Sequence, residues 1–171
     1  MVYRILVFTQ KSILSIPQEV IQDDLLKVNF HSLGEQYGLD PSQVEAAKSN
    51  LEVHMSKDGK LPYFFIRYNQ EQMRPIVVHE WELVSDKGKK ILGDLLHVID
   101  DPEVIKRLPG FNYLMEIELA PSQLKDMGLL LAYEIARWAA AQGVGLVLGL
   151  DKTWYRLNRH QAFIPINDNN I

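Results

Sequence analysis

The stretch from Asn112 to Asp151 reads NYLMEIELA-PSQLKDMGLLLAYEIARWAAAQG-VGLVLGLD, and its reading decides the fold. In the first piece Met115, Ile117 and Leu119 alternate with Glu116 and Glu118, the period of a strand packed on one face. In the second, Leu124, Met127, Leu131, Ile135 and Trp138 fall on one stripe of a long helix, with Gly143 as its C-cap. The third, VGLVLGLD, is a short apolar strand. Tyr113–Leu150 is therefore a β-α-β unit, and such units usually pair their strands in parallel through a right-handed crossover.

Working outward, residues 51–84 carry three strand-like runs: LEVHM, LPYFFIRY and PIVVHEWELV. Asp58-Gly59 marks a turn between the first two. An antiparallel meander is the simplest arrangement. LPYFFIRY is apolar in both phases, which predicts a central strand or one covered on both faces. Upstream, Tyr3–Phe8 reads as a first strand, and Val20, Ile21, Leu25 and Val28 space out a short amphipathic helix after Pro17. Asp40 and Pro41 open another helix as N-cap and first helical residue, with Gln43 placed to close a capping box. Ile91, Leu92, Leu95, Leu96 and Ile99 mark a helix over 87–99, and Asp101-Pro102-Glu103 starts a shorter one. The sum is a single α+β domain over 1–171. Its mixed sheet has five or six strands, its helices lie mainly on one face, and residues 160–171 form a partly irregular tail.

The chain has 171 residues and no cysteine, so disulfides, thiol nucleophiles and cysteine-based metal sites are excluded. This composition and the lack of a secretory leader pattern make the cytoplasm the expected location. No run approaches the roughly 20 apolar residues of a membrane span. A net charge of −4 without a Lys/Arg cluster weighs against nucleic acid. Gly143, Gly145 and Gly149 close a helix and sit in a strand, the reverse of a dinucleotide-binding loop. No HExxH or HxH pattern occurs, and no cofactor or metal is expected.

The acidic residues carry the functional reading. Glu52-x-His54, Glu80-x-Glu82 and Glu116-x-Glu118 each alternate with apolar neighbours, which predicts a carboxylate-rich wet face. His79 then falls in the packed phase with Val77, Trp81 and Leu83. Gly145 and Gly149 would give that face a shallow floor. Trp154–His160 would form its rim, with Trp154, Tyr155 and Arg156 as binding residues, and Asp151 joins them because ligand sites gather at the C-terminal ends of parallel strands. The expectation is a non-catalytic cytosolic binding module that presents this face to a basic protein partner. Two alternatives stand beside it. One is a metal-dependent hydrolase using Glu52, His54, Glu80, Glu82, Glu116 and Glu118. The other is a subunit of a homo-oligomer, a homodimer in the simplest case, packed through Ala132, Ala136, Ala139 and Ala140.

Overall fold

The structure is a computed structural model, and it describes residues 1–56, 63–69 and 74–166. The described strands are β1 (Tyr3–Thr9), β2 (Glu52–Ser56), β3 (Tyr63–Arg67), β4 (Ile76–Glu82), β5 (Tyr113–Leu119), β6 (Leu146–Leu148), β7 (Trp154–Leu157) and β8 (Phe163–Pro165). The helices are α1 (Gln18–Leu26), α2 (Phe30–Gln36), α3 (Pro41–Ser49), α4 (Asp86–Leu96), α5 (Pro102–Arg107) and α6 (Met127–Gly143). The α+β class and the 51–84 meander are as expected, and Asp40 caps α3 by accepting the Ser42 N–H at 2.7 Å.

The sheet corrects the expectation in two ways. Among the described residues it has eight strands in the order β2-β3-β4-β5-β1-β6-β7-β8, and every neighbouring pair is antiparallel. It is not mixed. Strands β5 and β6 do run the same way, as a crossover through α6 requires. They do not touch, because β1 lies between them and pairs antiparallel with both, Val7 facing Met115 on one side and Val147 on the other. An N-terminal strand filling a split β-α-β unit leaves no trace in the periodicity of residues 112–151.

The extra strands come from the segment after Asp151. Its two hairpin turns use Lys152 (φ 64°) and Gln161 (φ 60°) in the left-handed region where glycine or asparagine is the usual signal. Strands of four and three residues are also too short for alternation to register.

Two cores result. On one face Ile5, Val7, Val53, Phe64, Ile66, Val78, Met115, Ile117 and Val147 pack against α1, α2, α3 and α6. On the other, Leu6, Phe8, Leu114 and Leu146 pack against Ile91, Leu92 and Leu95 of α4 and Val104 of α5. Four helices thus serve one face and two serve part of the other. Tyr63, Phe65 and Val77 join neither core.

The end of α6 refines the role read for Gly143. The left-handed cap is Val144 (φ 52°), not a glycine. Gly143 is small for a different reason. A Cβ there would lie 2.6 Å from Thr9 Cβ, so the glycine lets α6 pack closely on β1.

Candidate functional site

The register places the candidate residues on faces. Alternation along β5 turns Met115, Ile117 and Leu119 to the helices and Glu116 and Glu118 away from them, as the sequence implies. Pairing sets Val77 opposite Glu118, His79 opposite Glu116 and Trp81 opposite Leu114. These residues therefore share the face away from α6. The phase expected for β4 is inverted: His79 and Trp81 lie on the open side, while Ile76, Val78 and Glu80 point into the helix-covered core. The inversion has a simple source. Val77-Val78 is apolar in both phases, so only the strand's polar residues indicate a phase, and the buried one misleads.

Glu80 is a structural carboxylate. It accepts a hydrogen bond from Ser12 Oγ at 2.5 Å and one from the Ile13 N–H at 2.6 Å, fastening the 11–15 loop to the sheet. Burial pushes its carboxyl above the ordinary value, and those hydrogen bonds oppose the push.

The open side of β2–β5 is aromatic more than acidic. Rows across the strands follow from the register: His54, Phe65, Val77, Glu118 and Arg4 in one, and Ser56, Tyr63, His79, Glu116 and Leu6 in the next. His54 stacks on Phe65 with ring centres 5.0 Å apart, and His79 stacks on Trp81 at 6.0 Å. Tyr63 leans on His79 at 5.9 Å.

Glu116, Glu118 and several rings meet a cation of the same chain. Glu118 takes Arg4 Nε at 3.3 Å and Arg74 Nη2 at 3.1 Å, and Glu116 lies 3.5 Å from Arg4. Arg67 sits 5.5 Å over the Phe65 ring and Lys87 5.5 Å over Trp81. Glu52 lies 3.0 Å from His54 Nε2. The register also keeps the acids apart: Glu118 faces Val77 and Arg4, Glu116 faces His79 and Leu6, and Glu52 faces Arg67. Two ring nitrogens on this side, His79 Nδ1 and Trp81 Nε1, are shielded from solvent and have no hydrogen-bond partner among the described residues. Each such group costs on the order of 1–3 kcal/mol.

The ten expected binding residues therefore divide. Glu52, His54, Glu116 and Glu118 share the open side. Glu80 faces the opposite core, and Glu82, in Glu80's phase, ends β4 exposed. Among the described residues no three acidic or imidazole groups converge to hold a metal ion. The expected rim is elsewhere, because β5, β1 and β6 separate β7 from β4. Trp154 packs in the second core beside Phe8, ring centres 5.7 Å apart. Of the two floor glycines, Gly149 lines a cleft with Arg4 and Glu116. Gly149 lies under Tyr133 and Tyr155, and a Cβ at Gly145 would strike the Phe8 carbonyl.

Asp151 and Tyr155 belong to a separate cleft of about 710 Å³ against α6. The Tyr155 hydroxyl donates to Asp151 at 2.6 Å. Burial disfavours ionised Asp151, but the hydrogen bonds from Tyr155 and Thr153 outweigh it and hold the carboxyl below its ordinary range. Burial, with the neighbouring Asp151, pushes the Tyr155 hydroxyl up to about 12.

Sequence reasoning misses Tyr63, Phe65, Trp81 and Arg74. The signal is present in Tyr63-Phe-Phe-Ile-Arg67. The residues turned to the helices are Phe and Ile, whereas the other phase is Tyr, Phe and Arg, the composition of a half-wet surface.

Comparison with known proteins adds one partial likeness. An 80-residue stretch, 47% of this chain, is 32% identical to DNA gyrase B from two strains of Streptococcus pneumoniae. The match spans 11% of the gyrase polypeptide's length. No family model and no solved structure matches the chain. No described helix is long and apolar enough to cross a membrane.

Proposed function

We propose that this protein is a non-catalytic binding module whose open face on β2–β5 receives a basic segment of a partner protein. One observation carries the reading: four cations of the chain itself, Arg4, Arg67, Arg74 and Lys87, already lie on this face against carboxylates and aromatic rings. They display the chemistry the face accepts. A guanidinium that stacks on a ring and reaches a carboxylate uses both kinds of group at once. The side chains of Arg4 and Arg74 are about half exposed, so a partner's arginine can replace them at small cost. Such surface pairs contribute roughly 0–1 kcal/mol each. Trp and Tyr are also the side chains that most often anchor protein interfaces. The short likeness to a gyrase polypeptide spans too little of either chain to give this one an activity.

The test is a titration of isotope-labelled protein with an arginine-rich peptide, a glutamate-rich peptide and a single-stranded oligonucleotide. The reading expects shifts from the arginine-rich peptide alone, centred on Tyr63, Phe65, His79 and the Trp81 indole N–H. Phe65→Ala and Glu118→Gln should weaken them. Shifts scattered over the molecule would sink the site. A response to the oligonucleotide at the same rings would replace the protein partner with a nucleic acid stacked on them.

A further inference from the structure

We infer that a second site, remote from the open face, binds a small organic oxyanion between Arg107 and Arg156. The two arginines line a cleft of about 600 Å³ where α5, the end of α6 and β7 meet. Organic ligands commonly occupy clefts of roughly 300–1,000 Å³, so there is room for more than an inorganic ion.

The charge on this cleft is the first argument. Its described lining includes both arginines and no carboxylate, in a chain whose net charge is −4. Three arginines elsewhere meet carboxylates: Arg4 and Arg74 meet Glu118, and Arg137 meets Glu134 at 2.7 Å. Arg107 has only a loose contact with Glu103, at 3.8 Å. Arg156 is partly buried and has no hydrogen bond or ion pair among the described residues. A partly buried guanidinium without a counter-charge is costly, and a planar oxyanion is what its forked donors fit.

The walls supply the second argument. Phe111 and Leu146 give an apolar surface, while the amides of Gln10 and Asn158 offer further polar contacts. The cleft also has two of the three described non-glycine residues with positive φ, Val144 at 52° and Gln161 at 60°. For a β-branched residue that conformation is a true outlier, and such strain collects at ligand sites. The C-terminal end of α6 would oppose an anion, but two of its last four carbonyls are already engaged. Ala140 accepts from the Val144 and Gly145 N–H groups, and Gly143 accepts from Gln10 N–H. Arg107 also suits the C-terminal turn of α5, a role that Arg156, on a strand, does not have.

The ligand class is a small carboxylate or phosphate ester with an apolar body. Titrating labelled protein with benzoate, phenyl phosphate and sodium chloride at equal ionic strength tests it. Saturable shifts at Phe111, Gly145 and the Arg156 Nε–H with either organic anion support the site, and the tighter of the two names the oxyanion. Arg156→Gln and Arg107→Gln should each weaken binding about tenfold or more, while Lys48→Gln on α3 leaves it unchanged. Shifts reproduced by chloride, or retained in both glutamine variants, would overturn the inference. If Arg156→Gln fails to fold, the wild-type shift map and Arg107→Gln decide. None of these outcomes depends on the open face, so the two readings fail separately.

Discussion

The two sides of this sheet carry residues of similar burial and opposite purpose. Glu80 and Glu116 are each only 7% exposed and sit one residue out of register on neighbouring strands. Glu80 looks into the helix-covered core and holds a loop. Glu116 looks to the other side and meets a half-exposed arginine. Depth does not distinguish them; the pleat does. The helix side is aliphatic and closed, while the far side of β2–β4 is built from stacked rings and compensated charges. One side stores stability, and the other is free to serve recognition.

Truncations should break or confirm this division. Ile117→Ala on the closed side should lower stability by about 2–5 kcal/mol, as buried aliphatic truncations do. Phe65→Ala on the open side should cost much less, about 1 kcal/mol, in denaturant melts run side by side. Equal losses would mean that the open side is packed as tightly as the closed one.

Glu80→Ala comes next. It leaves the buried Ile13 N–H without an acceptor and frees the 11–15 loop, at a cost of about 1–3 kcal/mol. Hydrogen exchange should quicken first at Ile13. Protection unchanged there would deny the carboxylate its anchoring role.

The pH dependence of the same residue sharpens the point. Burial raises the Glu80 carboxyl above its ordinary 4.5, so the folded state holds the proton more tightly than the unfolded chain. That contribution is full below pH 4.5 and is lost as pH rises through the folded value. The stability difference between wild type and Glu80→Ala should therefore shrink as pH climbs from 4.5, read from urea midpoints. A difference that grows with pH would reverse the assignment.

The smallest effect belongs to Glu118→Gln. It weakens two part-exposed ion pairs with Arg4 and Arg74 and should cost under about 1 kcal/mol, less still in high salt. A large, salt-independent loss would place Glu118 among the structural groups with Glu80.

Much of this is legible in the residues. Asp40-Pro41 announces its helix, the stripe on α6 announces its buried face, and Met115-Ile117-Leu119 gives β5 its correct phase. The failures are physical. A strand with valine in both phases does not say which carboxylate is buried, so Glu80 and His79 exchange sides. Tyr63 and Phe65 read as interior because hydrophobicity alone does not separate a covered ring from a stacked, half-wet one. The pairing of β1 with residues more than 100 positions away has no local signature at all. Arg107 and Arg156 are far apart in the chain and come to line one cleft only in the folded protein.

The place of β1 has a consequence for how the chain assembles. It is made before every other described strand, yet it must wait longest, since its partners are residues 113–119 and 146–148. Until they arrive, Ile5-Leu6-Val7-Phe8 is a bare apolar edge on both sides, the kind of segment that seeks another chain. Folding during synthesis cannot proceed strand by strand in chain order, because β1 finds no partner strand until residues 113–119 have been made.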